Sequence, residues 1–243
     1  MGRKEETEAV IRDLKGYLEF QSRMGNGMAI KTKTAKPSSA KPSPVSVAPP
    51  SSLFDGKGAK TLEEVREHLG DCERCKLHEG RKSIVFGEGN PEAKLVFVGE
   101  GPGKDEDEQG RPFIGRAGQL LGKIISAMDM ERSDVYICNV VKCRPPENRN
   151  PEPDEVAQCE PFLLGQLGVI SPRIVVCLGL VAAKAILKLG AGVSLGSLRG
   201  VFHEYGKTKL MVTYHPAALL RNPAFKRPLW DDMKVVMEEL KKG

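Results

Sequence analysis

Four groups of residues in this chain have the types and spacing to do chemistry. The first is a set of thiols. Cys72 and Cys75 form a C-x-x-C pair, Cys143 stands alone in a later segment, and Cys159 follows sixteen residues on. Four thiolates can close a metal site. Zinc sites usually bring two close pairs, whereas one close pair with two separated cysteines suits the larger iron–sulfur cluster; spacing alone leaves both open. Cys138 and Cys177 fall inside apolar runs and read as core residues. The second group is Gly99-Glu100-Gly101-Pro102-Gly103, continuing through Glu106 and Phe113 to Gly118. Lys104 stands where a dinucleotide fingerprint needs its third glycine, and no Gly-Lys-Ser/Thr marks a P-loop. An acidic, glycine-rich segment of this length with one isolated Phe is more than a surface loop.

The third group runs from Asn139 through Lys142, Cys143 and Arg144 to Asn148 and Arg149. An Asn amide carries a donor and an acceptor and can read a pyrimidine edge, although a lone Asn is more often a turn former. Lys142, Arg144 and Arg149 lie within eight residues, as a phosphate backbone would require. The fourth is His215-Pro216-Ala217-Ala218-Leu219-Leu220-Arg221. Proline restrains the histidine, and the two leucines either tuck into the core or act as a wedge.

These groups need a frame. Lys94–Gly99, Val135–Val141, Ile174–Leu178 and Lys209–Thr213 read as buried strands. Arg116–Met128, Asp154–Ile170, Leu180–Leu189 and Pro228–Lys241 read as helices, and Thr61–Glu64 as a capping box opening another. Such alternation predicts an α/β domain with a parallel sheet covered on both faces. Its ligands bind in the crevice at the carboxyl ends of the strands, which is where three of the four groups fall. This domain spans 57–243. Before it, residues 1–27 read as an amphipathic helix, with Val10, Ile11, Leu14, Tyr17 and Leu18 on one face and scope for binding an unknown partner. Residues 28–56, rich in Pro, Ser, Ala and Lys, read as a disordered linker.

Composition narrows the class. In 243 residues there are 37 Lys and Arg against 32 Asp and Glu, a net charge of +5 that permits a nucleic-acid partner without demanding one. No apolar run approaches the ~18 residues of a membrane span, and the charged N-terminus does not resemble a secretory leader. The chain reads as cytoplasmic, with its six cysteines as thiols or metal ligands.

Gly99-Glu100-Gly101-Pro102-Gly103 with Gly110-Arg111-Pro112-Phe113-Ile114-Gly115, Asn139-Val140-Val141-Lys142-Cys143-Arg144-Pro145-Pro146, and His215-Pro216-Ala217-Ala218-Leu219-Leu220-Arg221-Asn222-Pro223 resemble, in order, the motifs of the type-4 uracil-DNA glycosylases. The resemblance covers Lys57 to the C-terminus. It implies a three-layer α/β/α sandwich around a central four-stranded parallel sheet, and a structural [4Fe–4S] cluster on Cys72, Cys75, Cys143 and Cys159. The implied reaction everts uracil from single- or double-stranded DNA and hydrolyses its N-glycosidic bond, as a monomer in base excision repair. The departing base needs an anion stabiliser: His215 is the expected donor to O2, with the Gly101 N–H beside it. Asn139 would read O4 and N3, Phe113 would stack on the ring, and Glu106 would crowd the C5 side. Glu100 would position water, and Asn148 would complete the pocket. Leu219, with Leu220 and Arg221, would fill the vacated stack, and Lys142, Arg144, Arg149 and Arg221 would hold phosphates. Two rival readings are a relative that traps the abasic sugar through a histidine, for which His203 would have to serve, and a non-enzymatic cluster-bearing DNA-binding module.

Overall fold

Four apolar runs lie side by side as the parallel core of the sheet. The computed structural model describes residues 43–49 and 59–242, so the helix expected in residues 1–27 and most of the linker lie outside the described residues. Strands β3 (Leu95–Gly99), β4 (Tyr136–Asn139), β5 (Ile174–Leu178) and β7 (Thr208–Thr213) are ordered β7-β5-β3-β4. Their registers include Val98↔Cys138 and Val98↔Cys177 across β3, and Cys177↔Val212 beyond. Each of β3, β4 and β5 is buried along its whole length, as near-continuous apolar strands must be when both faces are covered.

The period of two along the strands sorts the core into two layers. Val96, Val98, Cys138, Val175, Cys177 and Val212 pack with helices α1 (Leu62–Leu69), α4 (Pro153–Ile170) and α5 (Leu180–Leu187). Phe97, Ile137, Val176 and Met211 pack on the other side with α3 (Arg116–Ala127) and α7 (Lys226–Leu240). The predicted three-layer α/β/α sandwich is therefore present, with Cys138 and Cys177 as core thiols. Among the described residues no helix is long and apolar enough to cross a membrane.

The sheet is wider than four strands. β2 (Glu88–Gly89) pairs antiparallel with β4, and β6 (Phe202–Tyr205) forms a hairpin with β7. Gly206, at φ +58, supplies the left-handed turn that such a hairpin needs. β1 (Ser46–Val47) pairs parallel with β6, seven strands in all among the described residues. Residues 43–49 thus correct the linker expectation locally. Val45 and Val47 pack against the core, and the backbone is bound by Glu204 N–H donating to the Val45 carbonyl (2.8 Å) and Gly206 N–H to the Val47 carbonyl (2.9 Å).

Two short helices escape the periodicity rules. α2 (Lys104–Gln109) lies inside the segment read as a long loop. Its six residues are polar, so no apolar stripe betrays it. The three acids in its first turn complement the helix dipole, and Gly110 ends it at φ +68. α6 (Pro216–Arg221) opens on His215 as N-cap with proline in its first turn.

Candidate functional site

Strand ends β3, β4 and β7 deliver Gly99, Asn139 and, two residues past the last, His215. Gly99 leaves the space over the sheet open. A Cβ there would run into Asn139 Oδ1 and the Phe113 ring, so those two side chains meet above it. Phe113 in turn lies 5.6 Å, centroid to centroid, from the His215 ring. Three segments distant in sequence thus converge on one spot in the crevice, as expected.

Phe113 is held there at conformational cost. Its φ is +52, a left-handed conformation that bulky residues rarely adopt. Three devices fix it. Glu106 accepts the N–H groups of Ile114 (3.0 Å) and Gly115 (2.9 Å). Arg132 donates to the carbonyls of Pro112 (2.9 Å) and Phe113 (3.1 Å). Gly118, on α3, gives the Phe113 backbone its close approach, since a Cβ at 118 would overlap the Phe113 carbonyl. Sequence reasoning missed Arg132, which carries no periodic or motif signal, and saw Gly118 only as the end of a motif segment, not as the space the Phe113 backbone needs. Glu106 has a structural role that the sequence did not show. With one oxygen on Ile114 and Gly115 and the other on Gly103 N–H (3.1 Å), this carboxylate braces the loop that carries Phe113.

Asn139 is 1% exposed, and its Oδ1 is a buried acceptor without a protein hydrogen bond. Such an atom costs free energy unless a partner arrives. His215 Nδ1 accepts the Ala217 N–H at 3.2 Å, which leaves the ring proton on Nε2. Burial, reinforced by the nearby charge of Arg221, lowers the His215 pKa to about 4. The ring is therefore a neutral donor at physiological pH. Behind it, Thr213 Oγ1 donates to Asp232 at 2.6 Å, Arg199 donates to the same carboxylate at 2.9 Å, and Tyr214 stacks on Phe225 with centroids 4.3 Å apart. These contacts fix the root of the His215 turn. Glu100, next to Gly99, is raised in pKa by burial. Gly101 follows, against Val141 and Pro145.

Several surface expectations are corrected. Lys142 is fully buried, its Nζ donating to the Asn139 carbonyl (2.8 Å) and Gln166 Oε1 (2.5 Å), so it cannot reach a phosphate. Arg149 is engaged by Glu155 through two bonds of 2.8 and 2.6 Å. Asn148 is exposed and gives its Oδ1 to Arg144 Nε at 2.8 Å, and no contact joins it to the Phe113 cluster. Leu219 is 2% exposed and belongs to the core, whereas Leu220, at 42%, projects from the same helix beside exposed Arg221. The helical turn of α6 explains the reversal, since adjacent residues face about 100° apart. His203 is buried with both ring nitrogens engaged, Nδ1 accepting from Val45 N–H (3.0 Å) and Nε2 facing the Leu198 carbonyl (2.7 Å), so it is not available as a trapping nucleophile.

Cys72, Cys75, Cys143 and Cys159 line one cavity, along with Leu69, Leu77 and Val141. Two of the sulfurs face donors: Cys159 accepts the Lys142 backbone N–H at 3.2 Å, and Cys143 lies 3.6 Å from an Arg81 nitrogen. Arg81 itself is tied to Asp71 and to the Cys72 carbonyl. Burial raises the Cys143 pKa and pushes that of Cys159 up to about 12. Deprotonating these thiols therefore calls for positive charge in the cavity. Among the described residues no trio of His, Cys, Asp or Glu is gathered tightly enough to bind a single metal ion.

Residues 86–234 match the family model described as the Uracil DNA glycosylase superfamily. The chain is 45% identical over 183 residues to a type-4 uracil-DNA glycosylase of Thermotoga maritima, covering 75% of this chain and 92% of that protein. It is 43% identical over 178 residues to the Pyrobaculum aerophilum type-4 enzyme, covering 71% and 91%. A type-5 uracil-DNA glycosylase of the same organism is more distant, at 32% over 146 residues, covering 54% and 64%.

Proposed function

Because the chain belongs to the uracil-DNA glycosylase superfamily and to its type-4 members, an enzyme that excises uracil from DNA in repair, we propose how its own residues perform the excision. The everted uracil enters between Phe113, Asn139 and His215. Phe113 stacks on the ring, an interaction worth ~1–3 kcal/mol. The orphaned Asn139 Oδ1 accepts from uracil N3–H while the amide nitrogen donates to O4; cytosine reverses both demands. His215 donates its Nε2 proton to O2, where negative charge grows as the glycosidic bond lengthens. The Gly101 N–H adds a second donor. Glu100, partly desolvated beside the sugar, steadies the oxocarbenium-like centre and positions the attacking water. The observation that carries this reading is the unpartnered Asn139 acceptor, set against the Phe113 ring, which in turn lies beside the neutral imidazole.

Outside the pocket, Leu220 fills the gap left by the base, while Arg144 and Arg221 meet phosphates. Cys72, Cys75, Cys143 and Cys159 would hold the [4Fe–4S] cluster. The donor set fits: four thiols share one cavity, and N–H groups face two of the sulfurs, as in clusters of this type. When bound, the cluster supplies a cross-link joining the 72–75 turn, the Cys143 loop and α4. Thiol ligands of this kind favour a reducing compartment, in line with a cytoplasmic, monomeric enzyme.

The test is alkali-revealed cleavage of a uracil-containing oligonucleotide by the wild type and His215→Ala. A loss of ~100- to 1000-fold is expected for one donor of this kind, and equal activity removes His215 from the reaction. For the cluster, brown protein with about four irons per chain is expected; colourless protein with stoichiometric zinc overturns the assignment.

A further inference from the structure

Among the described residues, Lys142 is the only lysine or arginine sealed from solvent, and no step above uses it. Sealing an ammonium group is expensive unless every bond it makes is good. An apolar side chain of similar length would fill the space at lower cost, but it could not hold two oxygens. Lys142 holds the carbonyl of Asn139, at the tip of β4, and Oε1 of Gln166 on α4. Gln166 is itself fully oriented: its Nε2 donates to the Phe86 carbonyl (2.9 Å) and to Tyr136 Oη (3.1 Å). Tyr136 is the first residue of β4 and Asn139 the last. The buried network therefore grips this strand at both ends. The backbone of Lys142 is pinned as well, its carbonyl accepting the Val85 N–H at 2.8 Å and its own N–H donating to Cys159 Sγ.

The Asn139 amide oxygen has no protein hydrogen bond of its own. Its aim into the pocket must then be inherited from the backbone that carries it. We propose that Lys142 is a positioning residue for base recognition: by clamping the Asn139 carbonyl to Gln166, it sets the direction of the Asn139 amide, and it ties that direction to the loop and helix bearing Cys143 and Cys159. The inference rests on the reading of Asn139 as the base reader. It assigns Lys142 no contact with DNA or uracil.

The test is a double-mutant cycle, with kcat/KM measured on a uracil oligonucleotide for wild type, Lys142→Met, Asn139→Ala and the double variant. A displacement of about 1 Å in a reading group can cost ~100-fold, so Lys142→Met alone should lose about 10- to 100-fold. If Lys142 acts through Asn139, the same change in the Asn139→Ala background should cost less than about twofold, because coupled residues are not additive. Equal losses in both backgrounds would overturn the proposal and leave Lys142 as a general support of the fold. Failure of the pocket reading is a separate outcome: Asn139→Ala would then be as active as wild type. The cycle is repeated with Lys142→Gln, which keeps a donor in the buried site and covers the case in which the methionine variant does not fold. A smaller loss, again vanishing in the Asn139→Ala background, is expected; persistence there overturns the proposal.

Discussion

The sharpest consequence of the pocket concerns pH. An exposed histidine with a pKa near 6.5 is about 9% neutral at pH 5.5, whereas one at about 4 is about 97% neutral. In the proposed reaction His215 works as a neutral Nε2–H donor. If its pKa is the lowered one, the donor population at pH 5.5 is almost that at pH 7.5; if it were ordinary, about a tenfold loss of rate would follow. The sign is set by burial, which penalises the imidazolium, and by the charge of Arg221, which repels it. The assay is single-turnover uracil release at saturating enzyme, at half-unit steps from pH 7.5 to 5.0. Glu100 also gains its proton as pH falls, and burial moves that event upward from its usual range. The profile is therefore recorded in Glu100→Gln as well. A flat profile down to pH 5.5 in Glu100→Gln is the expected result, any fall seen only in the wild type belonging to Glu100. A tenfold fall centred near 6.5 that persists in Glu100→Gln would refute the argument that burial keeps this ring neutral.

Other consequences follow from particular residues. Phe113→Ala should weaken uracil-DNA binding by ~1–3 kcal/mol, seen as a higher KM, since it removes a stacking ring; an unchanged KM would remove the ring from base binding. Gly118→Ala should push the Phe113 backbone off its seat and lower kcat/KM by ~100-fold; unchanged kinetics would show that the loop does not depend on this approach. Leu219→Ala should cost ~2–5 kcal/mol in denaturant unfolding, as a buried truncation does. Leu220→Ala should change stability by less than ~0.5 kcal/mol yet lower activity on duplex uracil. If both variants behaved alike, the exposed leucine would not be the wedge.

The sheet and its covering helices were legible because buried parallel strands are runs of Val, Ile and Leu and because the long helices carry apolar stripes. Ile174–Leu178 has the predicted bounds. The two-residue β1 and β2, the β6 hairpin strand and the polar helix α2 were not, since none has enough residues or contrast to show a period. In the site, Phe113, Asn139 and His215 were legible from residue type at strand ends or within long glycine-rich segments. The misreadings share one cause. Lys142 and Arg149 were judged by charge, and charge alone does not say whether a side chain faces solvent or a buried partner. Leu219 and Leu220 are neighbours whose fates differ only through the helical rotation of α6. Arg132, Gln166 and Gly118 act through contacts with residues distant in sequence or through space they leave empty, and a sequence shows neither.

The most direct test of the whole account is a crystal structure of the protein with free uracil. The ring should stack on Phe113, with its N3–O4 edge on the Asn139 amide and O2 at His215 Nε2. Uracil bound elsewhere, or in this crevice with that edge turned away from Asn139, would contradict it.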